Sequence, residues 1–350
     1  MRVLVLCTDA WGGHGGIALY TRDLVGAIAA HPDCEEVVVL PRVVRGAIDG
    51  VPAKVRFIDS AARGNAAFVR TLARVMRGER FDVVICAHIN LLPLLRWTSA
   101  KPVLFVYGIE AWRPPKRKLV TSFSGLRAVV SISEVTLRRF LDWSSVAAPS
   151  FLLPNAIHAE EYRVQPAKPA ALVERYGIGA RKVLLTVGRL NSAERYKGFE
   201  EVMEVLPTFP DTVYVIAGDG DDRPRLEAKA KQLGVADRVI FTGLFPDSLK
   251  ADLYALADAY VMPSRGEGFG FVFLEAMACG TPVVGGKHDG GREALADGAL
   301  GLLVDPTSPA EVRAGIAEAL MRPRVVPDGL DAFSYARFTE RVHAILGDLA

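Results

Sequence analysis

The chain has 350 residues, and its 42 Lys and Arg against 40 Asp and Glu leave a formal net charge of +2. Half of the residues are hydrophobic and 23% are charged, which is typical of globular proteins and excludes disordered and fibrous classes. Because the charges nearly balance, no global field selects nucleic acid or an anionic surface. No stretch approaches the roughly 18 consecutive apolar residues of a membrane-spanning helix.

The chain begins with a short apolar run, MRVLVLC, which soon meets Asp9 and a group of glycines. This run lacks the length and the cleavage site of a secretory signal, so we interpret it as a first strand. The four cysteines are scattered without a C-x-x-C pair. Their distribution predicts reduced thiols of a cytosolic protein and no zinc framework.

Short apolar runs alternate with helical stretches through the first half of the chain. The runs are rich in Val and Ile and nearly continuous, as is typical of strands buried on both faces. Stretches between them, such as Ile17–Ala30 and Phe68–Gly78, are long enough for crossover helices. This order predicts a doubly wound parallel sheet. The predicted strands are Val3–Cys7, Val37–Leu40, Val83–Cys86, Val103–Val106 and Ala128–Ile132.

A polar stretch with two prolines, residues 159–182, predicts a linker. The alternation of strands and helices then restarts, and an amphipathic helical pattern ends the chain. We therefore expect an α/β protein with two Rossmann-like domains, 1–160 and 161–331, facing a central cleft. The helical tail, 332–350, has the first domain as its candidate packing surface. The predicted strands of the second sheet are Val183–Val187, Thr212–Ala217, Val239–Thr242, Ala259–Met262, Pro282–Val284 and Leu302–Val304.

A glycine-rich turn follows the first predicted strand, with the spacing G-x-G-x-x-A from Gly13 to Ala18. Glycines let the backbone approach a phosphate, and the following helix offers free N–H groups. A dinucleotide site needs an acid at the end of the second strand, whereas Leu40 is followed by Pro41 and Arg42. The pattern therefore favours a phosphate- or sugar-facing loop, with a purely structural turn as the alternative.

Two cations, Arg189 and Lys197, follow the first strand of the second domain. Arg can hold a phosphate through two parallel hydrogen bonds, and Lys adds a compact charge. Taken alone, this basic segment is explained as well by a solvated turn.

The segment from Pro263 to Pro282 follows a strand, passes through a glycine-rich turn and opens a helix. Free N–H groups near the start of that helix can hold an anion. Glu267 lies in the turn and Glu275 lies inside the helix. Carboxylates bind vicinal hydroxyls well, so two acids beside an anion site suit a sugar nucleotide. The alternative is that Glu267 caps the helix and Glu275 is a surface acid.

Glu267 and Glu275 form an E-x7-E pattern. With the motifs given below, the segment from about 183 to 306 resembles glycosyltransferase family 4, whose members are retaining enzymes of the GT-B fold that use nucleotide sugars. The resemblance is looser over the first half of the chain. The other motifs are Gly188-Arg189-Leu190, Lys197-Gly198, Ala217-Gly218-Asp219-Gly220, Phe241-Thr242-Gly243, Thr281-Pro282-Val283-Val284 and Gly301-Leu302-Leu303-Val304-Asp305.

The resemblance implies that Arg189 and Lys197 hold the donor diphosphate. It implies that Glu275 binds the ribose and that Glu267 binds the transferred sugar near the anomeric carbon. No metal or cofactor is expected, because the cations and a helix N-terminus take their place. The further donor contacts implied are Gly12 and Gly13 of the first domain, and Gly188, Gly218, Phe241, Gly243, Phe269, Gly270, Phe271 and Val272.

In many members of the family a first-domain histidine contacts the donor sugar. Two positions compete for this role here: Tyr107 stands at the usual place, and His88, the catalytic candidate, follows the preceding strand. The alternative is a structural histidine whose hydrogen bonds are formed within the protein at the end of a strand. Tyr107, Glu110 and Trp112 are acceptor candidates, and Glu110 is also a plausible helix cap. Asp219-Gly220-Asp221 resembles the D-x-D of metal-dependent GT-A enzymes, but we interpret it as a turn.

The resemblance implies transfer of a hexose from a UDP- or GDP-sugar to a glycan or lipid-linked acceptor in the cytoplasm, with no nucleic-acid partner. The basic cluster Trp112–Lys118 would suit an anionic membrane or a diphosphate-lipid acceptor, and a solvated loop is the alternative. Three other functions stay open: a nucleotide-sugar epimerase of similar fold, a non-catalytic sugar-nucleotide-binding protein, and an NAD(P)-dependent oxidoreductase.

Overall fold

A computed structural model describes residues 1–13, 15–95, 100–114 and 123–349. The chain divides into two compact units, Met1–Ala156 with Tyr335–Ala350, and Ile157–Ser334. Each unit is built around one sheet whose neighbouring strands all run parallel. These two doubly wound sheets confirm the predicted α/β class with two Rossmann-like domains.

The first unit holds a seven-stranded sheet of order β3-β2-β1-β4-β5-β6-β7. Its central strand is almost wholly apolar, and Val3 lies between Val37 on one neighbour and Val83 on the other. The strands are β1 (Arg2–Cys7), β2 (Glu36–Pro41), β3 (Val55–Phe57), β4 (Val83–Cys86), β5 (Val103–Val106), β6 (Ala128–Ser131) and β7 (Ser150–Leu152). The helices are α1 (Gly16–Ala30), α2 (Asn65–Gly78), α3 (Glu134–Ser144) and, from the end of the chain, α11 (Tyr335–Asp348).

The final helix, α11, packs against α1 within the first unit. Phe338 meets the ring of Tyr20 edge-on, with 5.5 Å between the centroids. His343 Nε2 lies 2.9 Å from the carbonyl oxygen of Ala27. A Cβ at Gly26 would lie 2.7 Å from the hydroxyl of Tyr335, so a glycine at this position allows the two helices to approach closely.

The second unit holds a six-stranded sheet of order β10-β9-β8-β11-β12-β13. Its strands are β8 (Lys182–Val187), β9 (Thr212–Ala217), β10 (Val239–Phe241), β11 (Ala259–Met262), β12 (Val283–Gly286) and β13 (Leu302–Val304). Its helices are α4 (Ala170–Arg175), α5 (Phe199–Val205), α6 (Arg223–Gln232), α7 (Lys250–Leu256), α8 (Phe271–Ala278), α9 (Gly291–Ala294) and α10 (Pro309–Ala319).

Side chains from both the strands and the helices fill the core of the second unit. Leu184 and Tyr214 of adjacent strands are fully buried together with Val202 of α5 and Ile316 of α10. The helix α10 begins where Ser308 accepts a hydrogen bond from a first-turn N–H group, which is the usual way a serine starts a helix. Residues 159–182, expected as a linker, include the short helix α4 and belong to this unit.

The strand order of each sheet reverses at one point, between β1 and β4 in the first unit and between β8 and β11 in the second. In open parallel sheets, ligands bind beyond the carboxyl ends of the strands at such a point. The segments that follow β8 and β11 carry the predicted cations and Glu267. The topology therefore brings these predicted residues to one edge of the second sheet.

The four cysteines are unpaired and buried, and burial raises the pKa of the Cys86 thiol to about 12. Among the described residues, no helix combines the length and the apolar character needed to cross a membrane.

Candidate functional site

Two cations and two carboxylates meet beyond the ends of β8 and β11. Lys197 Nζ lies 3.5 Å from Glu194 Oε2 and 3.6 Å from Glu267 Oε2. The guanidinium of Arg189 pairs with the other oxygen of Glu194. We call these four residues the ionic cluster. The side chain of Lys197 is 13% exposed, whereas that of Arg189 is 77% exposed and presents its charge to solvent.

The backbone brings Lys197 into this position through a tight turn. Residues Ser192–Lys197 form a 3-10 helix that ends at Gly198, where φ is 83°. A Cβ at Gly198 would lie 2.6 Å from the carbonyl oxygen of Pro263, so glycine allows the turn after β8 to touch the turn after β11. The Lys197 stem then lies over Gly188, with Cδ 3.4 Å from the position of a Cβ there.

Glu194 belongs to the ionic cluster, but the sequence analysis did not identify it. The residue is 8% exposed, and within the described part of the chain its Oε2 atom has no hydrogen-bond partner. A buried carboxylate costs free energy unless it is paired, and the two cations are its partners here. An acidic residue between Arg189 and Lys197 on a short turn is the sequence signal that could have indicated it.

The turn that carries Glu267 is held by the loop after β12. Asp289 Oδ2 accepts the Glu267 N–H at 2.7 Å, and the Gly290 N–H donates to the Glu267 carbonyl at 2.9 Å. Ser264 Oγ donates to the same Asp289 oxygen at 2.7 Å. Complete burial raises the pKa of Asp289 to about 6 despite these donors. Asp289 is not among the predicted site residues, and its signal in the sequence is an aspartate that follows a strand and precedes two glycines.

The helix α8 begins beside Glu267 with an open N-terminus. Gly270 precedes it at φ 95°, and among the described residues no side chain caps the helix or places an acid in its first turn. The first N–H groups of a helix carry partial positive charge and have no partner inside the helix. Those of Phe271 and Val272 therefore suit an anion, as predicted for this segment. The Phe269 ring is buried edge-on against Phe333, so its backbone is the part left for a ligand.

Glu275 lies on the buried face of α8 and is 3% exposed. Its Oε1 atom lies 3.1 Å from Lys250 Nζ, and its Oε2 atom accepts the hydroxyl of Tyr254 at 2.6 Å. Burial and this carboxylate raise the pKa of the Tyr254 phenol. The alternative interpretation of Glu275 as a surface acid is therefore wrong. A ribose at Glu275 would have to share the carboxylate with Lys250, Tyr254 and Tyr162, which also forms a hydrogen bond with it.

The predicted base-binding residues meet at the ends of β9 and β10. Gly218 and Gly243 form an isolated antiparallel bridge. Gly218 has φ 147°, and a Cβ on it would lie 1.9 Å from the carbonyl oxygen of Gly188. The Arg223 guanidinium lies 5.5 Å from the centre of the Phe241 ring. All of these residues therefore lie near the same edge of the second sheet as the ionic cluster.

The Asp219–Asp221 segment lies in the loop between β9 and α6. Asp219 accepts the Gly220 N–H at 2.8 Å, and Asp221 accepts the N–H and the hydroxyl of Ser192 at 3.0 and 2.6 Å. Over the residues that the structure describes, no group of three or more His, Cys, Asp and Glu side chains is arranged to hold a metal ion.

In the first unit, Gly12 and Gly13 form a tightly packed turn. The Gly12 carbonyl accepts the N–H groups of Arg45 and Gly46, both at 2.9 Å, and Gly12 has φ 74°. A Cβ at Gly13 would lie 2.8 Å from Cβ of Asp9. Close packing within this unit is thus sufficient to require both glycines, and their contact with a donor stays a prediction. His14 lies outside the described residues.

His88 and Tyr107 differ sharply in their surroundings. His88 Nδ1 accepts the Asn90 N–H at 3.1 Å, so a neutral imidazole carries its proton on Nε2. Burial lowers the pKa of His88, while the carboxylates of Glu110 and Asp9 act in the opposite direction. Tyr107 is buried, and its ring meets Tyr20 edge-on at 5.2 Å, so its phenol belongs to the core of the first unit.

The other two acceptor candidates, Glu110 and Trp112, form hydrogen bonds within the first unit. Glu110 Oε1 accepts the Tyr107 N–H at 2.6 Å and the Gly108 N–H at 3.1 Å, which fixes the turn after β5. Trp112 donates its Nε1–H to Thr136 Oγ1 at 3.1 Å.

The Trp112 ring also packs under the Arg139 guanidinium, whose carbon lies 4.0 Å from the ring centre. Of the basic cluster that begins at Trp112, Arg113 is exposed. Lys116, Arg117 and Lys118, on which the membrane prediction depends, lie outside the described residues.

Comparison with known proteins defines the class and then the family. The solved structure of sucrose-phosphate synthase from Thermosynechococcus elongatus has a TM-score of 0.78 and 19% identity, with 100% of this chain and 99% of that one covered. Anabaena HepE in complex with UDP and glucose has a TM-score of 0.78 and 20% identity, with 99% of each chain covered. The fold is therefore that of the GT-B glycosyltransferases.

Residues 172–328 match the family described as Glycosyl transferases group 1. A GDP-mannose-dependent alpha-(1-6)-phosphatidylinositol monomannoside mannosyltransferase of Mycolicibacterium smegmatis is 34% identical over 260 residues, covering 65% of this chain and 67% of that protein. A protein of the same description from Mycobacterium tuberculosis is 32% identical over 364 residues, covering 94% of this chain and 91% of that protein. The chain belongs to this group, glycosyltransferase family 4, which confirms the resemblance and makes it a hexosyltransferase.

Proposed function

We propose that this chain is a retaining mannosyltransferase that moves mannose from GDP-mannose to a lipid-linked acceptor, with no metal ion or cofactor. The observation that carries the chemistry is the ionic cluster beside the open N-terminus of α8. The choice of donor is supported by the GDP-mannose-dependent relative that covers 94% of this chain.

The first part of the mechanism is stabilisation of the leaving group. The bond between the anomeric carbon and the diphosphate oxygen breaks, and its electron pair goes to the diphosphate. Arg189 presents an exposed guanidinium to receive that charge, and Lys197 and the first N–H groups of α8 lie on the same edge of the sheet. Charge-assisted hydrogen bonds are worth about 1.5–3 kcal/mol each. These groups therefore supply the positive charge that a divalent metal supplies in other transferases.

The second part is the orientation of these cations before the donor binds. An exposed arginine side chain samples many rotamers, and fixing such a side chain costs about 0.5–1.5 kcal/mol. In this proposal the Glu194 carboxylate, which contacts both Arg189 and Lys197, fixes their side chains when the protein folds. The entropy cost of fixing them is then not part of donor binding. Glu194 thus acts as a positioning residue for the diphosphate site.

The third part is attack by the acceptor on the same face of the sugar. The acceptor oxygen bonds to the anomeric carbon as the diphosphate departs, and the hydroxyl proton passes to the departing diphosphate oxygen. Glu267 orients the sugar and does not attack it, because its carboxylate is engaged with Lys197 and held by its turn. Detection of a covalent mannosyl–Glu267 adduct by mass spectrometry would contradict this mechanism.

The remaining contacts follow the family pattern. We expect Glu275 to hold the ribose hydroxyls and the ends of β9 and β10 to lie against the base. His88, neutral because burial lowers its pKa, would donate its Nε2–H to a sugar hydroxyl. His88→Ala should then weaken binding of GDP-mannose more than binding of GDP.

The choice of acceptor is supported by the two mycobacterial relatives, which are phosphatidylinositol monomannoside mannosyltransferases. We propose that the chain works in the cytoplasm at the inner face of the membrane, with the basic cluster Trp112–Lys118 on anionic lipid. Sedimentation with anionic vesicles tests this part. Charge reversal at Lys116, Arg117 and Lys118 should abolish co-sedimentation, and unchanged co-sedimentation would contradict the membrane contact.

A transfer assay tests the function as a whole. The purified protein is incubated with GDP-mannose or UDP-glucose and phosphatidylinositol monomannoside, and the glycolipid product is identified by mass spectrometry. We expect mannosyl transfer from GDP-mannose with retention at the anomeric carbon. Release of an epimerised sugar without acceptor would indicate an epimerase. Tight donor binding with neither transfer nor hydrolysis would indicate a binding protein.

A further inference from the structure

One fully buried carboxylate, that of Asp289, joins the loop after β12 to the turn after β11. Its Oδ2 atom accepts Ser264 Oγ and the Glu267 N–H, both at 2.7 Å. Its Oδ1 atom accepts the Gly291 N–H at 3.0 Å. Three donors from two loops therefore converge on one side chain, and one of them is the peptide N–H of the residue expected to bind the transferred sugar.

Two glycines allow the backbones of these loops to approach closely, one at each end of the contact. A Cβ at Gly286 would lie 2.0 Å from the carbonyl oxygen of Ser264, and a Cβ at Gly290 would lie 2.0 Å from that of Gly268. Neither clash is with a flexible side chain, so any larger residue at Gly286 or Gly290 would displace backbone. The turn from Ser264 to Gly268 is thus shaped directly by the loop that carries Asp289.

Stability does not explain this carboxylate. Burial raises the pKa of Asp289 to about 6, with the nearby Glu267 carboxylate adding to the effect of burial, so its three donors do not compensate for its loss of hydration. Buried charges often stabilise a fold less than apolar residues of similar volume. The geometry of its donors indicates what it contributes instead: it fixes the peptide from which the Glu267 side chain projects.

We propose that Asp289 is a positioning residue that holds the Glu267 turn in the geometry needed to bind the transferred sugar. This inference rests on the proposed function, in which Glu267 contacts the sugar. It assigns Asp289 no contact with the diphosphate, which belongs to Arg189, Lys197 and the N-terminus of α8.

The charged and titratable groups that face Asp289 define its expected pH dependence. Glu267 faces it from the turn after β11, and Lys197 is the counter-ion of Glu267. Tyr196 faces it from the turn after β8, and burial together with nearby carboxylates, Asp289 among them, raises the pKa of that phenol. Protonation of Asp289 weakens its acceptance from Ser264 and Glu267. Sugar recognition should therefore weaken as the pH falls through about 6.

The test separates recognition of the sugar from recognition of the diphosphate. Calorimetry measures the affinities of the wild type, Asp289→Asn, Ser264→Ala and Glu267→Ala for GDP and GDP-mannose at pH 7.5 and pH 5. The ratio of the two affinities reports the contribution of mannose.

We expect Asp289→Asn to lower this ratio roughly tenfold at pH 7.5 and to keep the affinity for GDP, because a hydrogen bond to a charged group is worth about 1.5–3 kcal/mol, or a tenfold change or more. Ser264→Ala should lower it less, and Glu267→Ala at least as much. The ratio should fall at pH 5 in the wild type and stay constant with pH in Asp289→Asn.

A second measurement tests whether Asp289 holds the Glu267 turn, and it needs no sugar nucleotide. Hydrogen exchange at pH 7 should be at least tenfold faster at the Glu267 amide in Asp289→Asn than in the wild type. The matched control is Asp297→Asn, which changes an exposed acid paired with Arg292 in the same segment of the chain. It should leave both measurements unchanged.

Unchanged exchange at Glu267 in Asp289→Asn would overturn the inference, as would an equal loss of affinity for GDP and GDP-mannose. If the wild type binds GDP-mannose no more tightly than GDP, the proposed function fails for this donor. In that case the exchange experiment still decides whether Asp289 holds the turn.

Discussion

The two units present their candidate residues in different ways. Beyond β8 and β11 of the second unit, Arg189, Lys197 and Glu267 face one another across two loops, and the Arg189 guanidinium is exposed. In the first unit, Glu110 is bound to its own backbone and Trp112 to a neighbouring helix. The exposed guanidinium of Arg189 can still bind an anionic ligand while it is paired with Glu194. The Glu110 carboxylate, in contrast, already accepts two backbone N–H groups of its own turn. The difference supports donor chemistry in the second unit and leaves the acceptor residues of the first unit to experiment.

The largest effect should come from Lys197→Ala. This change removes a cation from the proposed diphosphate site and leaves the Glu194 and Glu267 carboxylates without their shared partner. Charge-assisted bonds are worth about 1.5–3 kcal/mol, so kcat/KM should fall roughly 100-fold, with Arg189→Ala somewhat milder. The control is Lys229→Ala, which removes a lysine paired with Glu204 on the surface. Near-normal turnover in both site variants would contradict the assignment of donor chemistry to the second unit.

A smaller loss is expected for Glu194→Gln. The isosteric amide keeps the volume but no longer holds two cations by charge, so kcat/KM should fall about tenfold while the thermal midpoint changes little. Glu318→Gln, which affects an exposed pair with Arg322, is the matched control. Steady-state kinetics with varied GDP-mannose measures the loss. If Glu194→Gln loses stability in proportion to its activity, Glu194 is structural and does not position the cations.

In the first unit, Glu110→Ala should affect stability and not donor binding. The change removes the acceptor for the N–H groups of Tyr107 and Gly108. Leaving such donors without a partner costs about 1–3 kcal/mol, so urea denaturation should show a drop of that order in the free energy of unfolding. The affinity for GDP should stay at the wild-type value. A variant of normal stability that binds GDP-mannose but fails to transfer mannose would instead assign Glu110 to the acceptor.

The effects of pH on stability are expected to differ in sign between the units. At the amino-terminal edge of the first sheet, Arg2 and Arg56 each pair with Glu36 and Glu79, and these hydrogen bonds lower the pKa of both glutamates. The stabilisation is present above the unfolded pKa of 4.5 and is lost as the pH falls through the lower folded values. We expect Glu36→Gln to remove under about 1 kcal/mol at pH 7, because the pairs are partly exposed, and less as the pH falls below 4.5.

Asp289 should show the opposite sign. Its pKa is raised from 3.8 to about 6, so the folded state holds its proton more tightly than the unfolded state does. Its contribution to stability is therefore most favourable below pH 3.8 and is lost as the pH rises through 6, by on the order of 3 kcal/mol in total. Denaturation of the wild type and Asp289→Asn between pH 3.5 and 7.5 measures the difference between them. A difference that does not change with pH would contradict this expectation.

The apolar runs were sufficient to predict most of the fold. Every strand predicted from a Val- and Ile-rich run is present, because such runs are typical of strands covered on both faces. The strands that were missed, β3 and β7, have three residues each and lie at the two edges of their sheet. Their partly exposed residues give no continuous apolar signal. The strand β12 was predicted from its valines, and the structure extends it into two glycines that the pattern could not assign.

By itself, the sequence determined the α/β fold, because its buried parallel strands are continuous apolar runs. The resemblance of residues 183 to 306 to glycosyltransferase family 4 indicated the class of protein and the cations and glutamates of the second unit as site candidates. The roles of Glu194 and Asp289 depended on the tertiary structure, since burial and the donors around a carboxylate arise only when separate loops meet. The same holds for His88 and Tyr107, which both follow strands. Tyr107 packs against Tyr20 in the core of the first unit. Whether a side chain after a strand is buried in this way depends on neighbours that are distant in sequence.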